Sequence, residues 1–272
     1  ADHKRPSGQR MWSAQPCALG ILPPGVSCRL RSMEWHDDAI VLAARKHGES
    51  SAIVTLLTRD HGRHLGLVRG GMGRRKRGLF QPGNQVRATW RARLAEHLGS
   101  FACELENARA ATLLDDRDRL SALSAACAVA DAALPERETH APVFEGMEIL
   151  LDSMAGNLWP TIYVKWELGL LQELGFGLDF SCCAATGTTE NLIYISPKSG
   201  RAVSAEAAEP YRKSLLPLPS FLLEAGIEGP PDGISDGLKL TGYFLERHVF
   251  SHTRSGMAPA ARQRLIDQLR KK

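Results

Sequence analysis

At 272 residues, with 43% hydrophobic and 24% charged residues, the chain has the make-up of a globular protein with room for two domains. No apolar run approaches the ~20 residues of a membrane-spanning helix, and neither a secretory leader nor the cysteine density of a disulfide framework is present, so a cytoplasmic protein is expected. The formal net charge of +4 is too small by itself to name a partner.

Residues 1–32 mix Arg, Pro, Ser and Gly without helical or strand periodicity, and read as a disordered extension or the product of a mis-assigned start. From 33 to 109 the pattern is that of short strands. Ala39–Arg45 and Ala52–Thr58 are apolar and β-branched around a turn-like His47-Gly48-Glu49-Ser50. Asp60-His61-Gly62 is a second turn signal before His64–Val68. Asn84–Arg93 alternates, with Val86, Ala88, Trp90 and Ala92 on one face and Arg87, Arg91 and Arg93 on the other. A fifth strand is expected at Ser100–Leu105, and five short strands suggest an oligonucleotide-binding (OB) barrel.

After Arg109 the period becomes helical. Leu120, Leu123, Cys127 and Leu134 recur at that spacing, as do Phe144, Met147, Leu151, Met154 and Leu158, then Ile162, Trp166, Leu170 and Leu174. Residues 110–272 are thus read as a helical domain, interrupted at about 176–204 by a β-hairpin insertion with strands at Leu192–Ser196 and Arg201–Ser204. Helices are expected to resume at Pro219–Ala225, Leu238–Val249 and Pro259–Leu269. The fold class is therefore α+β, a five-stranded barrel followed by helices.

Charge is unevenly distributed. Between Arg59 and Arg93 there are ten basic residues against Asp60 alone, a formal charge of +9, so the remainder is net acidic by 5. Concentrated cations bind polyanions because each neutralised phosphate releases condensed counterions. The candidate contacts are Arg69, Arg74, Arg75, Lys76, Arg77, Arg87, Arg91 and Arg93, with Arg74 to Arg77 in a glycine-flanked segment free to drape along a phosphate backbone. Trp90 and Phe80 are candidates for base stacking, although alternation with Arg87 and Arg91 places Trp90 on the apolar face, where core packing competes.

Other chemistry finds little support. The glycine-rich segment lacks the G-x-x-x-x-G-K-[ST] order of a nucleotide loop, and no nucleophile–base grouping has a recognisable signature, so neither catalytic residues nor a cofactor are expected. Asp115, Asp116 and Asp118 are read as helix-capping carboxylates rather than metal ligands. Cys182-Cys183 lacks the second cysteine pair of a tetrahedral zinc site, and His248 with His252 lacks a third ligand, so no metal is expected.

Several segments in order resemble the RecO family of bacterial recombination mediators, in particular alpha-proteobacterial members. They are Ala39–Asp60 (AIVLAARKHGESSAIVTLLTRD) with His61-Gly62, Leu79–Gly83 (LFQPG), Ala88–Glu106 (ATWRARLAEHLGSFACELE), Glu167–Asp179 (ELGLLQELGFGLD), Ala184–Gly187 (AATG) and Tyr194–Ser204 (YISPKSGRAVS). The resemblance implies a non-enzymatic protein that binds single- and double-stranded DNA, anneals complementary strands and, with RecR, helps RecA replace single-stranded DNA-binding protein (SSB) at gaps in the RecF pathway. It also implies docking of the C-terminal SSB tail on the helical domain. Some members carry a four-cysteine zinc site in the insertion, where this chain has only Cys182 and Cys183. The alternative classes are an RNA-binding OB protein of translation or RNA processing, and a nucleic-acid enzyme without a legible active site.

Overall fold

The computed structural model describes residues 33–73, 76–223, 229–253 and 256–271. Five strands, β1 (Met33–His47), β2 (Ser51–Thr58), β3 (Gly62–Val68), β4 (Gln85–Ala92) and β5 (Ser100–Asn107), close a barrel in the order β1-β2-β3-β5-β4, the OB arrangement. The expected extension 1–32 lies outside the described residues.

Strand β1 shows why its sequence is apolar without clear alternation. Ala39 and Val41 point into the barrel, while Ile40 and Leu42 point outward into a second core built by the helices. A strand buried on both sides has no polar face to alternate with. Leu57 of β2 joins Ile40 and Leu42 in that outer seam. Strand β4 has a single buried face, so Val86, Ala88 and Trp90 fill the barrel interior and its alternation is clean.

The barrel interior holds an aromatic group around His64, which is 4% exposed. Trp90 and Phe101 meet its ring edge-on at 4.9 and 6.0 Å, and Trp35 does so at 5.2 Å. Burial holds the His64 imidazole below its ordinary value, against a weaker opposing effect of its hydrogen bond to the Leu65 carbonyl. The stabilisation from a neutral His64 is therefore complete above the unfolded value of about 6.5 and is lost as pH falls below it, because the unfolded chain then binds the proton more readily. Melting temperature is expected to drop less between pH 7 and 5 in His64→Phe than in the parent chain; equal drops would remove His64 from the acid response.

Beyond the barrel run α1 (Arg109–Thr112), α2 (Arg117–Ala133), α3 (Ala141–Ser153) and α4 (Trp159–Glu173), then β6 (Leu192–Ile195), β7 (Ala202–Ser204), α5 (Ala205–Ala208), β8 (Leu216–Pro217), α6 (Pro231–His248) and α7 (Ala260–Leu269). Asp116 caps α2 by accepting from the backbone N–H groups of Asp118 and Arg119 at 3.0 Å each, the role read for this acidic cluster. The expected hairpin pairs β6 with β7, and β8 adds a third strand on the other edge of β6. Two residues, one a proline, are too short a strand to leave a periodic signal. The helix expected at Pro219–Ala225 is corrected: Ser220–Leu222 forms one 3₁₀ turn, and residues 224–228 lie outside the described set. Helix α6 starts at Pro231 rather than near Leu238, because Gly233 and Gly237 interrupt the apolar pattern of its first turns.

Candidate nucleic-acid interface

The ten cations counted between Arg59 and Arg93 meet different fates once folded. Arg59 hydrogen-bonds Glu148 at 2.8 Å and lies 4.6 Å over the Phe144 ring, while Arg63 reaches the Leu134 carbonyl at 2.8 Å and Asp131 at 3.2 Å. Both tie the barrel to the helices and are unavailable to a polyanion.

Arg87 and Arg91 point outward, as alternation requires, but neither stands alone. Arg87 lies 2.9 Å from Asp38 and 3.2 Å from Glu106, and Arg91 lies 2.7 Å from Glu34. The hydrogen bond from Arg91 holds the Glu34 carboxyl below its ordinary value, and Glu106 with Asp38 raises Arg87. Register places Glu104 opposite Arg87 as well. The outer side of β4 is therefore a mixed ladder.

Arg69, Lys76, Arg77 and Arg93 are exposed and have no carboxylate partner among the described residues. Arg74 and Arg75 lie outside those residues. Part of the β3–β4 connection is pinned rather than free to drape. Buried Asn84 donates to the carbonyls of Gly78 at 2.9 Å and Leu79 at 3.1 Å, while its Oδ1 accepts from Ala110 N at 3.1 Å. At the other end, Met72 N donates to Ser50 O at 3.1 Å, fastening the segment to the β1–β2 turn.

The stacking expectations are corrected. Trp90 is 1% and Phe80 5% exposed, both in the barrel core. The indole N–H of Trp90 is spent on the Leu98 carbonyl at 3.0 Å, and its ring stacks on Trp35 at 5.6 Å. Neither ring offers a face to a base. Charge counting over residues 59–93 misses Arg45 and His47, which a register irregularity between Val41 and Ala43 turns outward. A bulge shifts the period by one residue and leaves no compositional mark.

In the helical part, α3 and α4 flank a cleft of ≈ 500 Å³ lined by Val143, Gly146, Ile149, Ile162 and Trp166, with Lys165 at its side. The Trp166 indole N–H is buried there without a hydrogen-bond partner among the described residues. At the insertion, Cys183 Sγ accepts from Ser204 N at 3.3 Å, and Cys182 Sγ accepts from the Arg201 guanidinium at 3.4 Å. Two sulfurs, one held by a guanidinium, with no third Cys, His or carboxylate assembled beside them among the described residues, do not make up the four ligands of a tetrahedral zinc centre.

Comparison with known proteins agrees with this architecture. The family model "Recombination protein O N terminal" matches residues 33–108, and "Recombination protein O C terminal" matches residues 114–257. The chain is 56% identical over 241 residues to the "DNA repair protein RecO" of Rhodospirillum centenum, covering 88% of this chain and 96% of that protein. It is 52% identical to the protein of the same name from Rhodospirillum rubrum, covering 88% and 97%. To that of Jannaschia sp. it is 49% identical, covering 87% and 96%. With both halves matched in order and near-complete coverage of the relatives, the chain belongs to the RecO family of DNA repair and recombination proteins.

Proposed function

We propose that the protein is a recombination mediator without chemistry of its own, which binds single- and double-stranded DNA and anneals complementary strands. One observation carries this reading: the cations at Arg69, Lys76 and Arg77 stand exposed on an OB barrel, with no carboxylate partner among the described residues. A surface that binds two strands at once screens their mutual repulsion, which is what annealing requires. Arg74 and Arg75, within the same cationic run, belong to the proposed contact by sequence. Arg93, on the strand-end side of β4, is a further member, whereas Arg87 and Arg91 contribute less because carboxylates already hold them.

RecR, and RecA through it, are the proposed partners, with the SSB C-terminal tail seated on the helical part. The α3–α4 cleft suits such a tail, because Val143, Ile149 and Ile162 give it an apolar lining. The same barrel chemistry would serve RNA, so competition between matched DNA and RNA oligonucleotides separates the two polymers.

Replacing Arg69, Arg74, Arg75, Lys76 and Arg77 together with alanine is expected to weaken binding of labelled single-stranded DNA. It should also flatten log affinity against log salt by about 0.7 for each phosphate that is no longer neutralised. An unchanged slope in that titration would remove the segment from the interface.

A further inference from the structure

Adjacent Cys182 and Cys183 lie between α4 and β6, and the fold gives their sulfurs different surroundings. Cys183 is 2% exposed. Its backbone is fixed on both sides, its N–H donating to Thr188 O at 2.7 Å and its carbonyl accepting from Gly187 N at 2.9 Å. Its Sγ accepts from Ser204 N, at the end of β7, at 3.3 Å. The Ser204 hydroxyl is buried beside that sulfur and has no hydrogen-bond partner among the described residues. Burial by itself would raise the Cys183 thiol. The hydroxyls of Ser204 and Thr186 and the N–H groups of Ser204 and Ala185 outweigh it and lower the value to about 6.

Cys182 is half-buried, so small solutes reach it. Its Sγ accepts from Arg201 Nη2 at 3.4 Å, and Asp179 orients that guanidinium from 3.2 Å. The cation makes the surroundings of this sulfur electropositive, the setting in which thiols react with oxidants. Cys103 and Cys127 are the contrast, because burial pushes both thiols up to about 12.

We propose that Cys182 and Cys183 are a peroxide-sensitive dithiol, in which Cys182 meets the oxidant and Cys183 closes a disulfide onto it. Exposure assigns the roles: the buried Cys183 sulfur can meet only its neighbour. In the first step the Cys182 sulfur attacks one oxygen of a hydroperoxide and the O–O bond breaks. The departing hydroxide or alkoxide takes the thiol proton, leaving a sulfenic acid at Cys182. In the second, the Cys183 thiolate attacks the Cys182 sulfur, the S–O bond breaks, and the hydroxide takes a proton from water. Together the two thiols lose two electrons and the peroxide gains them. Neighbouring Cα atoms stand about 3.8 Å apart, less than the roughly 4.4–6.8 Å that disulfides usually span, so the bond is strained and readily reduced by thiols. Closing it withdraws Cys183 from Ser204 N and Cys182 from Arg201, two contacts that tie this turn to β7 and the residue before it. The proposal stands independently of the nucleic-acid reading.

The test treats the full reduced chain with hydrogen peroxide, alkylates the remaining thiols with iodoacetamide and maps each cysteine by peptide mass spectrometry. The peptide holding Cys182 and Cys183 is expected to lose two hydrogens and escape alkylation, and dithiothreitol to restore both thiols, while Cys103 and Cys127 stay alkylated. In Cys183→Ser, dimedone should trap a sulfenic acid at Cys182; in Cys182→Ser, Cys183 should remain unoxidised. Arg201→Gln should slow oxidation of the pair several-fold. Melting curves check folding, and Cys183→Ala replaces the serine variant if that variant unfolds. A pair still alkylated after Cys103 or Cys127 has oxidised overturns the proposal. A disulfide joining Cys182 or Cys183 to any other cysteine overturns the vicinal pairing, and a dimedone adduct at Cys183 in Cys182→Ser overturns the assignment of roles.

Discussion

Replacing Arg262 with methionine is expected to cost about 3–5 kcal/mol of folding free energy, because it leaves a carboxylate charged and unpaired in a dry core. Glu167 of α4 is 0% exposed and Arg262 of α7 2%. The guanidinium donates from Nε to Oε1 at 2.7 Å and from Nη2 to Oε2 at 2.8 Å, and Nη2 also reaches the Leu238 carbonyl at 2.9 Å. Thr241 of α6 donates its hydroxyl to Glu167, so the network joins three helices. The pair holds Arg262 still further above its already high ordinary value: burial opposes the charge, and the adjacent Glu167 outweighs it. Urea denaturation of Arg262→Met should show the destabilisation as a lower midpoint. The double variant Glu167→Gln/Arg262→Met should recover part of it, since a neutral amide costs less to bury than an unpaired carboxylate. A double variant no more stable than Arg262→Met would show that the missing packing of the long side chain, not the stranded charge, sets the cost.

The second large effect is expected at Gly62, the first residue of β3. Its φ is +66°, and a Cβ there would lie 1.8 Å from the Glu138 carbonyl oxygen. Backbone cannot yield as a flexible side chain does. The segment that follows α2 would therefore have to leave the barrel, breaking the bond from Arg137 N to Arg63 O at 2.8 Å and that from the Thr139 hydroxyl to Asp60 O at 2.7 Å. Gly62→Ala is expected to destabilise by roughly 3 kcal/mol or more. Gly48 is the control. Its φ is +64° but nothing lies within 4 Å of its Cβ position, so Gly48→Ala incurs only the left-handed backbone cost of about 1–2 kcal/mol. Melting temperatures that fall equally in the two variants would show that backbone conformation, not the close approach, dominates at Gly62.

Much of the fold is legible in the sequence because its signals are local. The alternation in β4 and the helical spacing of Phe144, Met147 and Leu151 come from single faces buried against single cores. Where a signal is missing, its cause is non-local. Strand β8 exists because β6 offers an edge to Leu216-Pro217, and α6 tolerates two glycines in its first half because tertiary packing holds it. The bulge that turns Arg45 outward is set by pairing with β2 and leaves no trace in residue type.

The candidate site divides in the same way. Alternation along β4 was enough to determine that Arg87 and Arg91 face outward and Trp90 inward, because side-chain direction in a strand follows from the residue before and after. The sequence by itself also determined that cations are concentrated in residues 59–93, since charge is a sum over residues. Which of those cations remain available was decided only by tertiary structure. Glu34 neutralises Arg91 from 57 positions away, and Glu148 takes Arg59 from 89 away, because β1 closes the barrel beside β4 and the fold brings the Glu148 side chain of α3 to the end of β2. Electrostatic screening depends on distance through space, and only the folded chain sets that distance.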